Sequence, residues 1–163
     1  MAQRPFEEIV AEHGEVVWRV CRALLGPADA EDAWSETFLA ALRRYPDLPP
    51  GSNVKGWLVT IAHNKSIDLL RASARRAVPA GDLPERVGGP SPDPIGDLRP
   101  GGDLRRAVER LAPRQRAAVV YRYLADLPYA DIAELLESTP AAARRSAADG
   151  IANLRATYRK ESS

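Results

Sequence analysis

The polar residues best suited to bind another molecule fall on one face of a predicted helix near the middle of the chain. Positions 57, 61, 64, 68, 71 and 75 follow one another at steps of three or four, which places them on a single helical face. The polar or aromatic residues among them are Trp57, Asn64, Asp68, Arg71 and Arg75. Amides, cations and aromatic planes are the groups that bind base edges, phosphates and base faces of single-stranded nucleic acid. On the residues alone, a solvated face with an Asp68–Arg71 ion pair is the favoured explanation, and nucleic-acid binding is the alternative.

The chain lacks the combinations of side chains on which catalysis depends. No nucleophile with an adjacent base, phosphate-binding loop or metal-ligand cluster is evident in the sequence. With one cysteine and two well-separated histidines, the chain offers no usual metal-ligand spacing, so we predict no metal and no cofactor. Cys21 lies in an apolar helical stripe, which favours a buried, inert thiol over the alternative of a redox sensor. We therefore expect that the protein is not an enzyme.

Three helices are predicted in the N-terminal part of the chain, at residues 5–25, 29–45 and 53–76. Pro5 is tolerated at a first helical position, and Asp29 is an N-cap candidate with acidic residues in the following turn. Asn53 is placed to cap the third helix after a loop that contains proline and glycine. The apolar stripe of the second helix is predicted to be Ala30, Ala33, Trp34, Phe38, Ala41 and Leu42.

A segment rich in proline and glycine divides the chain. Residues 77–103 contain six prolines, six glycines and few large apolar groups. Such a segment buries too little surface to offset its ordering entropy, so we interpret it as a flexible linker. No segment has the pattern of a strand. The predicted fold class is therefore all-α, with two small helical domains at residues 1–76 and 104–163.

Four further helices are predicted in the C-terminal domain, at residues 104–112, 113–125, 128–137 and 140–159. Pro113, Pro128 and Pro140 stand where helices would begin, and Thr139 is placed to cap the last one. The short break between the last two helices is the spacing of a helix-turn-helix. The inward stripe of the last helix is predicted to be Ala143, Ala147, Ile151, Leu154 and Tyr158.

Charge and hydropathy restrict the expected partners. The formal net charge is +1, but residues 104–163 carry eleven basic and seven acidic side chains, whereas residues 77–103 carry two basic and five acidic ones. A basic C-terminal domain is the modest electrostatic footprint of a DNA-contacting module. No run approaches the roughly 18 apolar residues of a membrane span, and the N-terminus lacks the apolar stretch of a signal peptide. We expect a cytoplasmic protein that binds no membrane.

Two groups of residues are more informative in their order than either is alone. The first group is Asp29–Asp32, Glu36–Phe38 and Trp57–Asn64 with Asp68 and Arg71, and the second is Leu111–Arg116 and Leu127–Leu136. Their order resembles the extracytoplasmic-function group of bacterial sigma factors, over nearly the whole chain except the linker. The resemblance implies a protein that binds core RNA polymerase, directs it to promoter DNA and helps to melt the minus-ten region. It also implies an anti-sigma protein as a partner. The alternative is a helix-turn-helix regulator, or a sigma-like protein, that does not drive initiation.

The resemblance assigns three sets of contacts. The minus-ten DNA-binding residues that it implies are Asn53, Trp57, Asn64, Lys65, Arg71 and Arg75. The polymerase-binding residues that it implies are Glu31, Asp32, Glu36, Thr37 and Phe38. The minus-thirty-five DNA-binding residues that it implies are Arg114, Arg116, Arg144, Arg145 and Ser146.

Each assignment has a structural alternative. A tryptophan that begins a helix, such as Trp57, is more often a core anchor than a stacking platform. The loop of residues 47–54 matches in position the family's base-capturing loop, where Asn53 would help to offset the cost of extruding a base, but it also fits a plain connection. The acidic residues of the second helix complement the helix dipole in any case.

The last helix departs from the family pattern. Relatives usually carry several arginines here, whereas this chain has Ser146 and Asp149 at positions where arginine is common. Gly150 costs a helix interior about 1 kcal/mol relative to alanine. Because each lost phosphate contact weakens binding, the departures argue against sequence-specific reading by this helix. An alanine-rich face that binds protein is the alternative, formed by Ala141, Ala142 and Ala148.

Overall fold

The computed structural model of the chain describes residues 3–77 and 102–162, and both ranges are helical without any strand, which confirms the all-α fold class. The N-terminal unit (residues 3–77) contains α1 (Phe6–Leu24), α2 (Pro27–Arg44), a 3₁₀ turn (Tyr45–Asp47) and α3 (Val54–Ala77). The C-terminal unit (residues 102–162) contains α4 (Gly102–Glu109), α5 (Pro113–Val119), a π-helical turn (Val120–Leu124), α6 (Tyr129–Leu135) and α7 (Pro140–Ser162). The predicted linker, residues 77–103, lies almost wholly outside the described residues.

Two of the three predicted helix caps are confirmed. Asn53 Oδ1 accepts a hydrogen bond from the Gly56 backbone N–H at 3.1 Å, and Thr139 Oγ1 accepts one from the Ala142 N–H at 3.1 Å. The prediction that Asp29 caps α2 is wrong, because the helix begins two residues earlier at Pro27, with Gly26 at the cap. A proline needs no hydrogen-bond acceptor at the first helical position, and Asp29 instead lies in the first turn, where its charge complements the dipole.

Aromatic side chains build the core of the N-terminal unit. The Phe6 ring lies 5.4 Å from the Tyr45 ring and 6.4 Å from the Phe38 ring, and Trp34 lies 4.7 Å from Phe38. The polar groups of the larger rings are satisfied by backbone oxygens, since the Tyr45 hydroxyl donates to Arg4 O at 2.6 Å. Large rings in contact therefore fix the angle at which α1, α2 and the 3₁₀ turn meet.

The core of the C-terminal unit combines several alanines with larger side chains such as Tyr121. Ala118, Ala133, Ala143 and Ala147 are fully or almost fully buried, as is the backbone of Gly150. A Cβ atom on Gly150 would lie 2.6 Å from Val119 Cγ2 and 3.3 Å from the Gln115 carbonyl oxygen. The glycine in the last helix is therefore required by the close approach of α7 to α5, and its helix-propensity cost is offset by that packing.

The two units pack against each other through one continuous apolar cluster. Val20 of α1 and Val59 of α3 are fully buried in the same cluster as Val120, Tyr121 and most of the C-terminal core. Cys21 is also buried, and burial raises the pKa of its thiol to about 12, as expected of an inert side chain. The N-terminal helices thus complete the core of the C-terminal unit in this arrangement.

Candidate nucleic-acid and polymerase interfaces

The outer face of α3 is open and polar. Asn64, Asp68, Arg71 and Arg75 are all exposed, as their spacing predicts. Among the described ion pairs there is none between Asp68 and Arg71, although the two lie one turn apart. The ion pair on which the solvated-face explanation depends is therefore not formed in this structure. Its amide and guanidinium groups remain available to a ligand.

Two residues of the predicted minus-ten set have contacts within the N-terminal unit. Trp57 is half-buried against the N-terminal core, with its ring 6.5 Å from that of Tyr45, so it anchors α3. Lys65 points toward α2, where its Nζ lies 3.7 Å from Glu36 Oε2. Asn53 is exposed, but its Oδ1 is engaged as the helix cap and only the Nδ2 group is left for a further contact.

A cavity of about 870 Å³ separates the α3 face from the C-terminal unit. Both predicted DNA-binding sets contribute to its walls. The lining residues from these sets are Asn53, Trp57, Asn64, Arg71, Arg114 and Arg116. The two surfaces expected to meet different promoter elements therefore face each other across one space.

A partly buried hydrogen bond lies in the wall of this cavity. The ring nitrogen Nδ1 of His63 on α3 lies 2.5 Å from the hydroxyl of Tyr121 in the π-helical turn, and the His63 ring also hydrogen-bonds the backbone of Leu135. These partners assign Nδ1 as acceptor and Nε2 as donor, the neutral tautomer. Burial lowers the pKa of His63 and raises that of Tyr121, so both are uncharged near neutral pH. Neither residue was identified from the sequence, because 58 positions separate them.

The acidic face of α2 is only partly as predicted. Glu31, Asp32 and Glu36 are exposed, but Thr37 and Phe38 are buried, and the Thr37 hydroxyl donates to the Ala33 carbonyl at 2.6 Å. The side chains of Thr37 and Phe38 are thus core groups and offer no contact surface to a partner.

Two leucines extend the exposed α2 face. Leu39 and Leu42 are 53% and 51% exposed, although Leu42 was predicted to face the core. Leu39 also lines a small cavity of about 330 Å³ together with Asp32, Glu36 and Lys65. The helical spacing of residues 32, 35, 36, 39 and 42 was the signal that could have identified this mixed acidic and apolar surface.

The cations of the C-terminal unit differ in what they contact. The Arg116 guanidinium donates to the backbone oxygens of Glu109 and Leu111 at 2.7 and 3.2 Å, and burial lowers its pKa. It therefore holds the end of α4 and is not free to bind DNA in this structure. Arg114, Arg144 and Arg145 are exposed and Ser146 is half-exposed.

Both units match one protein family. Residues 9–76 match the description Sigma-70 region 2, and residues 102–154 match Sigma-70, region 4. Over 159 residues the chain is 34% identical to the RNA polymerase sigma factor CarQ of Myxococcus xanthus, which covers 94% of this chain and 89% of CarQ. The chain belongs to the sigma-70 family. Its N-terminal unit is a region 2 and its C-terminal unit a region 4. Sigma factors act in transcription initiation and are not enzymes, which confirms the expectation from the sequence.

Further similarities place the chain in the extracytoplasmic-function group. It is 36% identical over 142 residues to the ECF RNA polymerase sigma factor SigE of Mycolicibacterium smegmatis, across 83% of this chain and 54% of SigE, so it spans about half the length of that relative. The solved structure of the sigma factor RpoE of Bartonella quintana, in complex with the anti-sigma factor NepR, superposes with a TM-score of 0.79. That superposition covers 94% of this chain and 96% of RpoE at 22% identity, and it supports the fold alone.

Hydropathy and ligand chemistry add little to these assignments. No helix in the two described ranges combines the length and apolar character needed to cross a bilayer. Within the same ranges no three of the histidine, cysteine and acidic side chains gather as metal ligands would.

Proposed function

We propose that this sigma factor binds core RNA polymerase in the cytoplasm, directs it to promoter DNA and helps to melt the minus-ten region. The observation that carries the proposal is the open α3 face, where Asn64 and Arg71 are exposed and unpaired on the helix that the family match places in region 2. An amide and a guanidinium on one helical face provide hydrogen bonds to base edges and charge for the backbone of a melted strand. Arg75 extends the same face by one turn.

We assign polymerase binding to the exposed α2 surface, formed by Glu31, Asp32, Glu36, Leu39 and Leu42. The three carboxylates complement a basic partner, and such complementarity mainly sets the association rate and the register of docking. The two leucines add apolar area that a partner would bury, and buried apolar area supplies most of the affinity. Thr37 and Phe38 are left out of this surface because they are buried.

The proposed activity requires the two units to separate. The minus-ten and minus-thirty-five elements lie about 25 base pairs apart, which is roughly 85 Å along B-form DNA. In this structure the surfaces assigned to the two elements line one cavity of about 870 Å³. A chain of 24 residues, the number between the two described ranges, reaches at most roughly 79–86 Å, which is comparable with that distance.

An inhibitory partner is a further part of the proposal. The B. quintana relative was solved with an anti-sigma factor bound. A protein that covers the α2 surface, or holds the two units together, would prevent both polymerase docking and DNA binding. We propose an anti-sigma protein of this kind as a partner of this chain.

One observation favours a second function, that of a regulator that does not drive initiation. Asp149 is exposed on α7 and Arg116 is engaged with backbone oxygens, so region 4 offers fewer cations to DNA than its sequence suggests. A region 4 with weak DNA affinity is compatible with a sigma-like protein that binds polymerase or another protein without selecting promoters.

The test of the proposed function is co-elution of the purified chain with bacterial core RNA polymerase on size exclusion. We expect wild-type protein to co-elute and the Glu31→Lys/Asp32→Lys variant to lose this behaviour. The Glu7→Lys/Glu15→Lys variant, with the same change in charge on exposed sites of α1, is the control and should behave as wild type. Absence of co-elution from folded wild-type protein would overturn the proposal and favour the second function.

A further inference from the structure

Two arginines from different elements stack on one tyrosine in region 4. Tyr129 is the first residue of α6, Arg122 belongs to the π-helical turn and Arg144 to the first turns of α7. The guanidinium carbon of Arg122 lies 4.7 Å from the centre of the Tyr129 ring, and that of Arg144 lies 5.0 Å from it. Both distances are within the range of a cation–π contact.

The two cations differ in how firmly they are held. Arg122 is half-buried, and its Nη1 donates to the Leu127 carbonyl at 3.1 Å. Arg144 is exposed, and its contact with Tyr129 is its only described side-chain interaction. The tyrosine ring therefore limits the conformations of Arg144, and none of its guanidinium N–H groups makes a described hydrogen bond.

The charges around this ring are unbalanced. None of the described ion pairs involves Arg122 or Arg144. Because both guanidinium groups lie against one ring without a described carboxylate partner, an anion bound near the ring would be attracted to both. Phosphate oxygens are well matched to guanidinium N–H groups, which donate in a planar fork.

We propose that Tyr129 is a positioning residue for DNA binding, whose ring holds Arg144 ready to bind a backbone phosphate while Arg122 adds a second positive charge beside it. The inference rests on the proposed function, because it requires α7 to meet DNA. The ring would strengthen that contact, because an arginine that is already ordered loses less side-chain entropy on binding than a mobile one.

Arg145 provides a matched control within the same helix turn. It is exposed like Arg144, it carries the same charge and it makes no described contact with Tyr129. If the ring positions Arg144 specifically, replacing Tyr129 should weaken the contribution of Arg144 to DNA affinity and leave that of Arg145 unchanged.

The experiment is a double-mutant cycle on the full chain, with a fluorescein-labelled 30-base-pair duplex as the probe. Phosphate contacts are independent of sequence, so the duplex need not be a promoter. Binding is measured by anisotropy between 50 and 200 mM salt for wild type, Tyr129→Leu, Tyr129→Phe, Arg144→Ala, Arg145→Ala and the pairwise combinations. Circular dichroism verifies the fold, and Tyr129→Met replaces Tyr129→Leu in the cycle if the leucine variant unfolds.

We expect Arg144→Ala and Tyr129→Leu each to weaken binding by about five-fold and to lower the salt slope by nearly one unit. Tyr129→Phe keeps the ring and should bind as wild type. Tyr129→Leu should have little further effect in the Arg144→Ala background, whereas its effect should persist in full with Arg145→Ala.

Two results would overturn the inference. One is an effect of Tyr129→Leu that is the same with or without Arg144, since that indicates a general structural role. The other is an Arg144→Ala variant that binds the duplex as wild type does, since α7 then makes no phosphate contact there. Neither result changes co-elution with core polymerase, so the failure of this inference is distinguishable from the failure of the proposed function.

Discussion

Regions 2 and 4 of this sigma factor use their polar residues in different ways. On α3 of region 2, Asn64, Arg71 and Arg75 are exposed and make no described ion pair. The core below them is formed by aromatic and aliphatic side chains. In region 4 the core combines alanines with larger side chains such as Tyr121, and arginines take part in holding the fold together. Arg116 binds the end of α4, and Arg122 binds the Leu127 carbonyl.

The difference shows that the number of basic residues in a segment is a poor measure of its DNA-binding surface. Region 4 carries the net positive charge of this chain, yet part of that charge is bound to backbone oxygens. Region 2 is neutral overall and still presents an exposed polar face on α3. Which cations are free depends on the packing of each unit. The variants described next test that packing in region 2, in region 4 or at the contact between them.

The largest expected effect comes from neighbouring residues on α2. Phe38→Ala should lower the free energy of unfolding by about 3–5 kcal/mol, because a buried ring in the aromatic core is lost. Leu39→Ala should change it by less than about 0.5 kcal/mol, because that side chain is exposed. Urea denaturation measures both. Leu39→Ala is also expected to weaken polymerase binding, and equal stability losses in the two variants would contradict the assignment of Phe38 to the core.

The next effect separates a structural arginine from a free one in region 4. Arg116→Ala should destabilise the protein by about 2 kcal/mol, since the carbonyls at the end of α4 lose a charged donor. Arg114→Ala should leave stability unchanged within about 0.5 kcal/mol. Thermal unfolding followed by circular dichroism gives both values. If Arg114→Ala proved the more destabilising of the two, the division of region 4 into structural and free cations would be wrong.

A smaller effect of opposite sign in the two units is expected from a glycine-to-alanine pair. Gly14→Ala in α1 should stabilise the protein by about 0.5–1 kcal/mol, because its Cβ would meet only ordinary contacts at 3.5 Å or more and alanine favours the helix. Gly150→Ala should destabilise it by about 1 kcal/mol, because overpacking against Val119 outweighs the same gain. Denaturant titration of both variants is the measurement, and a stabilising Gly150→Ala would show that α5 and α7 can move apart freely.

The smallest effect concerns pH and the contact between the units. Burial lowers the pKa of His63 below its ordinary 6.5, while Glu137 nearby opposes this shift. The packed state therefore binds fewer protons than the separated or unfolded state once the pH falls below about 6.5, and its stability declines as the pH falls further. The neighbouring Tyr121 and Cys21 stay neutral in this window, since burial raises both pKa values.

The expected slope is a fraction of the roughly 1.4 kcal/mol per pH unit that one proton allows. Unfolding between pH 7 and pH 5 should show it for wild type and less of it for His63→Asn, which retains His13 as an internal reference. A pH dependence that is identical in the two proteins would mean that His63 is not buried between the units.

The sequence was sufficient for the helices and for the caps that depend on local order. Asn53 and Thr139 each accept a hydrogen bond from the backbone N–H three residues later, so both caps depend only on residues that are close in the sequence. The positions that the sequence did not explain depend on how the helices pack. Leu42 was assigned to the core because it continues an apolar stripe, but its side chain is exposed, and Gly150 was explained only by the close approach of α7 to α5.

Long-range contacts had no signal in the sequence. The His63–Tyr121 hydrogen bond joins two units, and the role of Arg116 depends on the turn between α4 and α5. Family resemblance assigned Arg116 and Thr37 to partners because it transfers positions without transferring side-chain environments. The burial of each side chain in the structure distinguishes the residues that hold the fold from those that are exposed to a partner.

The central claim is that the open α3 face of region 2 gives this sigma factor its role in promoter opening, and one measurement tests it most directly. Core RNA polymerase is mixed with the chain and a DNA library randomised over the upstream region, and the transcribed templates are sequenced. With wild-type protein we predict templates enriched in two separated sequence elements. The Asn64→Ala/Arg71→Ala variant should co-elute with polymerase but yield few transcripts, while the Arg43→Ala/Arg44→Ala control should match wild type. Full transcription by the Asn64→Ala/Arg71→Ala variant would contradict the account.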